Sequence, residues 1–252
     1  MDKQPVFFCV CSQKGGVGKS TFTILLANWL HYALGRDVLV VDCDAPQWSI
    51  VAQRERELDV LERNDRYKLM MVRLFKRTGR KIWPVVRSTP YEGLQAARAY
   101  FAAGDREADF VRLDLPGTVA APGIFRLLAR LDHLFIPLKA DKLVLESALS
   151  FARAVDEQLV HNDALRLTGL HLFWTMVDRR ERTPLYESYG KAFAAFRLPV
   201  LQTQVPYRSR FSKEILDTSG AVGRSTLFPA DRAFAADAAL DALAAEILSL
   251  ME

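Results

Sequence analysis

Across residues 12–21 the chain reads SQKGGVGKST, with lysines at 14 and 19, glycines at 15, 16 and 18, and hydroxyls at 20 and 21. The apolar run VFFCVC leads into it, and KSTFTILLANWLHYAL leaves it with the apolar spacing of a helix. Glycines directly after a buried strand let the backbone bend around a polyphosphate with its N–H groups turned inward. The loop from Gly15 and Gly16 through Val17 and Gly18 to Thr21 is therefore a candidate phosphate cradle. Lys19 is placed to reach the terminal phosphates and Ser20 to hold a magnesium ion, while the dipole of the following helix favours the negative charge. Two features depart from the common form of such loops. Gln13 stands where a glycine is usual, and Lys14 adds a second lysine just before the glycine pair.

A cradle binds a nucleotide, but hydrolysis also needs a placed metal ion and an oriented water. Candidate carboxylates close two other apolar runs. Asp114 ends FVRLD and precedes the turn LPG, a place from which a carboxylate can hold a magnesium-bound water. Asp42 and Asp44 alternate in DVLVVDCD, so the two-residue period of a strand turns both to one face. Ordinary turn chemistry is the plainer reading of all three.

Strand-like and helix-like segments alternate on either side of these groups. Strands are expected at 6–11, 37–44, 108–117, 133–138, 167–178 and 198–206, with a short one in KIWPVV that Pro84 places at an edge. Helices are expected after the glycine loop and at 46–64, 89–103, 143–160, 183–196 and 229–251. That alternation predicts an α/β fold, a mostly parallel sheet covered by helices on both faces, with ligands at the carboxyl ends of its strands. At 252 residues, half of them apolar and without internal repeats or linkers, one domain spanning 1–252 suffices. No run of about 18 apolar residues occurs, and the first strand follows the N-terminus at once, so no membrane span, no cleaved signal and a cytoplasmic location are expected. Cys9, Cys11 and Cys43 fall in expected strands and read as reduced, packed thiols; His31, His133, His161 and His171 are scattered and read as ordinary helix or surface residues.

The glycine loop with its extra lysine resembles the deviant Walker A loop of the ParA/MinD family of ATPases. DLPG resembles that family's Walker B end, VVDCDAPQ its paired aspartates, and WTMVDRR and TQVPYRSRFSKE two later strand ends. The resemblance implies a P-loop NTPase fold, ATP with Mg2+, and a homodimer bridged by ATP in which Lys14 crosses to the partner's nucleotide. It further implies that Asp44 positions the attacking water, that Asp42 joins Ser20 and Asp114 around the magnesium, and that Met176, Asp178 and Pro206 lie near the adenine. In one respect the chain departs from the family: Ala45 separates Asp44 from Pro46, so the switch loop takes its own path. VVDCDAPQWSI, DLPGTV and VLESALSFA also resemble ParA-like proteins of conjugative elements, often labelled conjugal transfer protein TraA, which implies a role in the maintenance, transfer or regulation of mobile DNA.

The net charge is +4 with a pI near 9.0. Residues 66–87 hold eight basic residues, no acidic one, and aromatics at Tyr67, Phe75 and Trp83. Either a DNA-facing surface or a solvated helix face fits that pattern. Arg208, Arg210 and Lys213 form a second cluster, in the loop after Pro206 through which the resemblance implies non-specific DNA binding, nucleoid association and a ParB-like or conjugation-machinery partner. The closing segment is amphipathic with acids and no Lys or Arg, which favours core packing over a membrane anchor. A MinD-like regulator that positions a protein cargo without binding DNA is the alternative. Reductase relatives need cluster-ligating cysteines downstream, and the sequence has none there.

Overall fold

Six short runs, β1 (Val6–Val10), β2 (Val38–Asp42), β3 (Val85–Arg87), β4 (Phe110–Asp114), β5 (His133–Leu138) and β6 (Gly169–Trp174), pair in parallel in the order β3-β2-β4-β1-β5-β6. The structure is a computed structural model and describes residues 4–104, 107–117, 122–178, 180–181, 183–215 and 222–252. Parallel strands need crossovers, and the helices that supply them cover both faces of the sheet. The two-residue period sorts each strand. Phe8 and Val10, Val38 and Val40, and Phe110 face one core with α1 (Lys19–Asn28), α2 (Ser49–Arg63), α3 (Asp65–Thr78), α8 (Arg232–Asp237) and α9 (Leu240–Met251). Phe7 and Cys9, Leu39 and Val41, and Val111 and Leu113 face the other, with α4 (Gly93–Ala102), α5 (Pro122–Leu128), α6 (Lys142–Val155) and α7 (Leu185–Ala195). The three cysteines are buried and free.

The expected α/β architecture is present, and each exception has an identifiable cause. Residues 198–206 run beside β6 but make only isolated pairings, at Leu172 with Val200 and Val177 with Pro206. Between them the Glu246 carboxylate takes the N–H groups of Gln202 and Thr203 at 2.7 and 2.9 Å, so they are lost to a ladder. The closing helix breaks at Ala239, whose φ of 52° is left-handed; α9 then buries Leu240, Leu243, Ala244 and Ile247 in the core. Residues 156–160 and 29–33 form π-helical turns that extend α6 and α1. The strand expected in KIWPVV shrinks to the edge strand β3, where Pro84 still contributes its carbonyl to Val40 N–H at 3.1 Å. Part of DLPGTV and single residues of WTMVDRR lie outside the described residues.

The histidines are not all helix or surface residues. His31 is a helix residue, in the π-helical turn after α1, but it is buried and bridges the carbonyls of Arg36 and Lys81 at 3.1 and 2.8 Å. His133 and His171 are neighbours on β5 and β6, their ring centroids 6.1 Å apart and both stacked on Phe135. Burial, reinforced by His133, lowers His171 to about 4. The unfolded chain therefore binds a proton near pH 6.5 that the folded chain refuses, and stability is lost as the pH falls from there toward 4. In urea melts between pH 7 and 4.5 the stability of His171→Phe relative to the wild type should rise as the pH falls, whatever other groups contribute to the shared profile; an equal slope in both would count against the assignment.

Candidate functional site

Three neighbouring strands end at one level. Val10 of β1 pairs with Asp114 of β4, and Asp114 with Asp42 of β2. The crossovers pass to opposite sides of β1, so the crevice at these carboxyl ends is the ligand position expected of such a sheet. The glycine loop leaves β1 there. Gly16 and Gly18 carry φ values of 74° and 94°, and a Cβ on Gly18 would also stand 3.1 Å from the Phe22 ring, so glycine is required for both reasons. A Cβ on Gly15 or Gly16 would meet nothing within 4 Å, which leaves the loop's inner side open to a large anion.

Lys19 is buried and donates from Nζ to the Lys14 carbonyl at 3.1 Å, so its ammonium arches over the loop. Burial lowers its pKa, while the neighbouring carboxylates of Asp114 and Asp44 oppose that shift. Asp114 is fully buried; Ser20 Oγ donates to one of its oxygens at 2.7 Å and Thr23 Oγ1 to the other at 2.9 Å. Burial pushes its pKa up to about 7; the Ser20 and Thr23 bonds resist this, and Asp42 and Asp44 reinforce it. Two residues upstream on the same face of β4, Arg112 is also fully buried, lies 4.7 Å over the Phe8 ring and is lowered to about 9 by desolvation.

Asp42 caps α2. One of its oxygens accepts from Ile50 and Val51 N–H, both at 3.0 Å, and the other from Asp44 N–H at 3.2 Å. Burial raises its pKa, and these bonds oppose the shift. Both oxygens of a residue assigned to the magnesium shell are thus engaged with backbone, and through them Asp42 anchors the start of α2 and the Asp44 segment. Asp44 is only partly buried; burial and Asp42 raise its pKa and Lys19 opposes them. Its carbonyl accepts Trp48 N–H at 2.7 Å, so the segment with Ala45 closes a turn that delivers α2 to Asp42. Lys14 is exposed and has no side-chain partner among the described residues; its N–H is used, toward Ser12 Oγ at 3.2 Å.

Three carboxylates with raised pKa values around one buried lysine leave the crevice short of positive charge. A divalent cation suits that deficit. Among the described residues no three His, Cys, Asp or Glu side chains come close enough to hold a metal alone. Magnesium fits this donor set, because it is usually held by one or two protein oxygens together with water and phosphate. The fitting pair is Ser20 Oγ and the Asp114 carboxylate.

The sequence profile of the CobQ/CobB/MinD/ParA nucleotide binding domain matches residues 8–221. The chain belongs to this nucleotide-binding family. The chromosome-partitioning ATPase Soj of Thermus thermophilus is 27% identical over 220 residues, 73% of this chain and 86% of Soj. A plasmid partition protein from Borrelia burgdorferi has a similar fold, with a TM-score of 0.54 and 20% identity over 82% of this chain and 91% of its own. The structure of pNOB8 ParA bound to nonspecific DNA also shares the fold, with a TM-score of 0.51 and 18% identity over 87% of this chain and 88% of its own.

In this CobQ/CobB/MinD/ParA family member the flanking groups are arranged less evenly. Asp178 and Pro206 line one cleft of about 460 Å³ together with Tyr207 and Asp237. Met176, at φ 56°, lies instead near the loop, its methyl 4.0 Å from a Gly18 Cβ position. Asp178 is tied to Arg180 at 2.9 and 3.0 Å, and those bonds pull its pKa down to about 2. A cleft of about 1070 Å³ opens at the opposite ends of the strands beside Asp37 and Arg80, away from all of this chemistry. Arg208 is paired with Asp237, and Arg210 with Asp231 and the Val222 carbonyl, so only Lys213 of the second basic cluster is an uncompensated cation among the described residues.

Three contributors escape a sequence reading. Thr23 follows Ser20 by three residues and so shares its helix face, a spacing that could have flagged it. Ser147 Oγ donates to Gln13 Oε1 at 3.0 Å, which gives the non-glycine at 13 a tether to α6. Arg224 donates to Thr21 Oγ1 at 3.1 Å and to Glu214 at 2.7 Å from a loop without any pattern.

Proposed function

We propose that this chain is an ATPase of the ParA type, converting ATP and water to ADP and phosphate, and acting as an ATP-bridged dimer. In that dimer Lys14 completes the partner's site, and the ATP-bound form holds DNA without regard to sequence until hydrolysis releases it. Turnover by the chain alone is slow and is stimulated by a protein partner, ParB-like or part of a conjugation machinery. The biological setting is the partition, maintenance or conjugal transfer of a mobile element in the cytoplasm, at the nucleoid.

One observation carries this reading: the groups for phosphate and magnesium stand together inside the crevice, whereas the ammonium of Lys14 extends outward with nothing among the described residues of its own chain to meet it. Gly15 through Thr21 hold the phosphates, Ser20 and Asp114 hold magnesium, Asp42 fixes the turn that carries Asp44, and Asp44 orients the water. Asp178 and Pro206 border the base and Met176 the loop beside it. Bound magnesium supplies neutralisation of charge on the β and γ phosphate oxygens. The partitioning role named for Soj and the DNA bound by pNOB8 ParA support the DNA half of the proposal.

Binding of a 30-base-pair duplex should require ATP and weaken steeply between about 50 and 200 mM salt, as counterion release demands. Equal binding with ATP, ADP and no nucleotide, or binding indifferent to salt, would overturn it. The second reading, a MinD-like positioner that works through a protein cargo, gains from the ion pairs that occupy Arg208 and Arg210. That reading is the outcome if the ATP-bound dimer forms and DNA stays free.

A further inference from the structure

We propose that the outward face of α3, rather than the loop around Arg208 and Arg210, is the surface that meets DNA; this rests on the DNA reading above. The two basic regions differ in how their charge is used. Arg208 and Arg210 are each matched by an aspartate of the same chain. On α3 and just beyond it, Arg66, Arg73, Lys76, Arg77 and Lys81 are exposed and have no carboxylate partner among the described residues. The sole acid of the helix, Asp65, sits at its first residue and pairs with Lys68.

The placement on the helix is equally one-sided. Tyr67 and Leu74 are buried, Tyr67 packing 5.9 Å from Phe228, so the inner face is fixed to the core. Arg66, Arg73 and Arg77 are spaced seven and then four residues apart and form one exposed line along a flank of the helix, roughly a quarter turn from the buried Tyr67 and Leu74, while Lys76 lies on the side opposite them. At 1.5 Å per residue that line is about 16 Å long, and duplex DNA offers roughly one phosphate charge per 1.7 Å of its axis over that length. Both ends of the helix are capped: the Asn64 side chain accepts from Arg66 and Tyr67 N–H at its start, and Gly79, at φ 66°, donates its backbone N–H to the Phe75 carbonyl at its end. A protein partner would have to supply a separate carboxylate for each cation, whereas a duplex meets all of them with one uniform backbone. Leu69, Val72 and Phe75, each about half exposed, form a narrow strip beside the cations. The charge does not depend on them.

The test uses the full chain with ATP and a 30-base-pair duplex of arbitrary sequence, titrated from about 50 to 200 mM salt. Arg73→Glu with Lys76→Glu should weaken binding by at least about 10-fold at 100 mM and reduce the salt slope by about 2. Arg208→Ala with Lys213→Ala, and Leu69→Ser with Phe75→Ser, should each change it less than about 3-fold. ATP turnover without DNA and the melting temperature should stay as in the wild type for the α3 charge variant, since both residues are exposed and unpaired. If the wild type binds no DNA with ATP, the DNA reading and this surface fall together. If the wild type binds and the α3 charge variant binds equally with an unchanged slope, the surface alone is wrong. A loss confined to Leu69→Ser with Phe75→Ser would also overturn it and mark the strip as a protein-docking face, and the same loss on phosphatidylserine vesicles instead of DNA would mark a lipid one.

Discussion

Lys14→Ala should slow ATP turnover by about 10³-fold or more while changing nucleotide affinity only a few-fold, because a cation supplied to a phosphoryl-transfer site from a second chain acts chiefly on the transition state. The geometry keeps the test clean. What Lys14 gives its own chain is backbone: its carbonyl accepts from Lys19 Nζ and its N–H reaches Ser12 Oγ, and both survive truncation of the side chain. The melting temperature should therefore hold, consistent with surface substitutions staying within about 0.5 kcal/mol. Mixing decides whether the lysine works across the dimer. A Lys14→Ala subunit keeps its own Asp44, and an Asp44→Ala subunit keeps Lys14, so each pure variant should be inactive and the mixture should regain activity at the sites that combine both. Absence of recovery in a mixture that forms heterodimers would show that Lys14 serves only its own chain.

Asp114→Asn should raise the stability of the nucleotide-free protein and abolish its magnesium-dependent turnover. The carboxyl is fully buried and raised to about 7, whereas in the unfolded chain it ionises near 4. Between those values the folded state holds a proton that the unfolded state has released, so stability falls as pH rises through that window. An amide removes that dependence and can still pair with the Ser20 and Thr23 hydroxyls. Three pKa units correspond to about 4 kcal/mol at most, so a gain of about 2–4 kcal/mol at pH 8 that falls to about a third of that at pH 5 and toward zero only below about pH 4 is the expected result in chemical melts. Turnover with Mg2+ should drop by at least about 10²-fold, since the acidic oxygen that fits the ion is gone. A variant less stable than the wild type at pH 8 would refute the electrostatic account even if activity were lost.

Most of the fold, and the residues that make up the candidate site, can be read along the chain, because both follow from local rules. Glycines after an apolar run, a lysine and a serine at the head of an apolar helix, and aspartates at strand ends are adjacent in sequence to the elements that position them. Where distant groups compete for the same backbone, the reading fails. Residues 198–206 have the composition of a strand, but Glu246, more than forty residues away, takes two of the N–H groups a ladder would need. Asp42 and Asp44 have the alternation of a matched pair, yet the start of α2 folds onto Asp42 and engages both of its oxygens. Arg208 and Arg210 look like free cations until α8 and its N-cap bring Asp237 and Asp231 to them.

What the sequence points to by itself is a candidate polyphosphate loop at SQKGGVGKST and candidate carboxylates at 42, 44 and 114, at or just beyond the ends of apolar strand-like runs. The tertiary structure decides how the charge is distributed among those groups and across the surface. It buries Asp114 between Ser20 and Thr23, leaves Lys14 without a side-chain partner among the described residues, and pairs Arg208 and Arg210 with aspartates while Arg66, Arg73, Lys76 and Arg77 of α3 have no carboxylate partner among the described residues. The physical reason is that residue identity sets a charge, whereas burial and the partners brought by distant segments set what that charge costs and whether it is available.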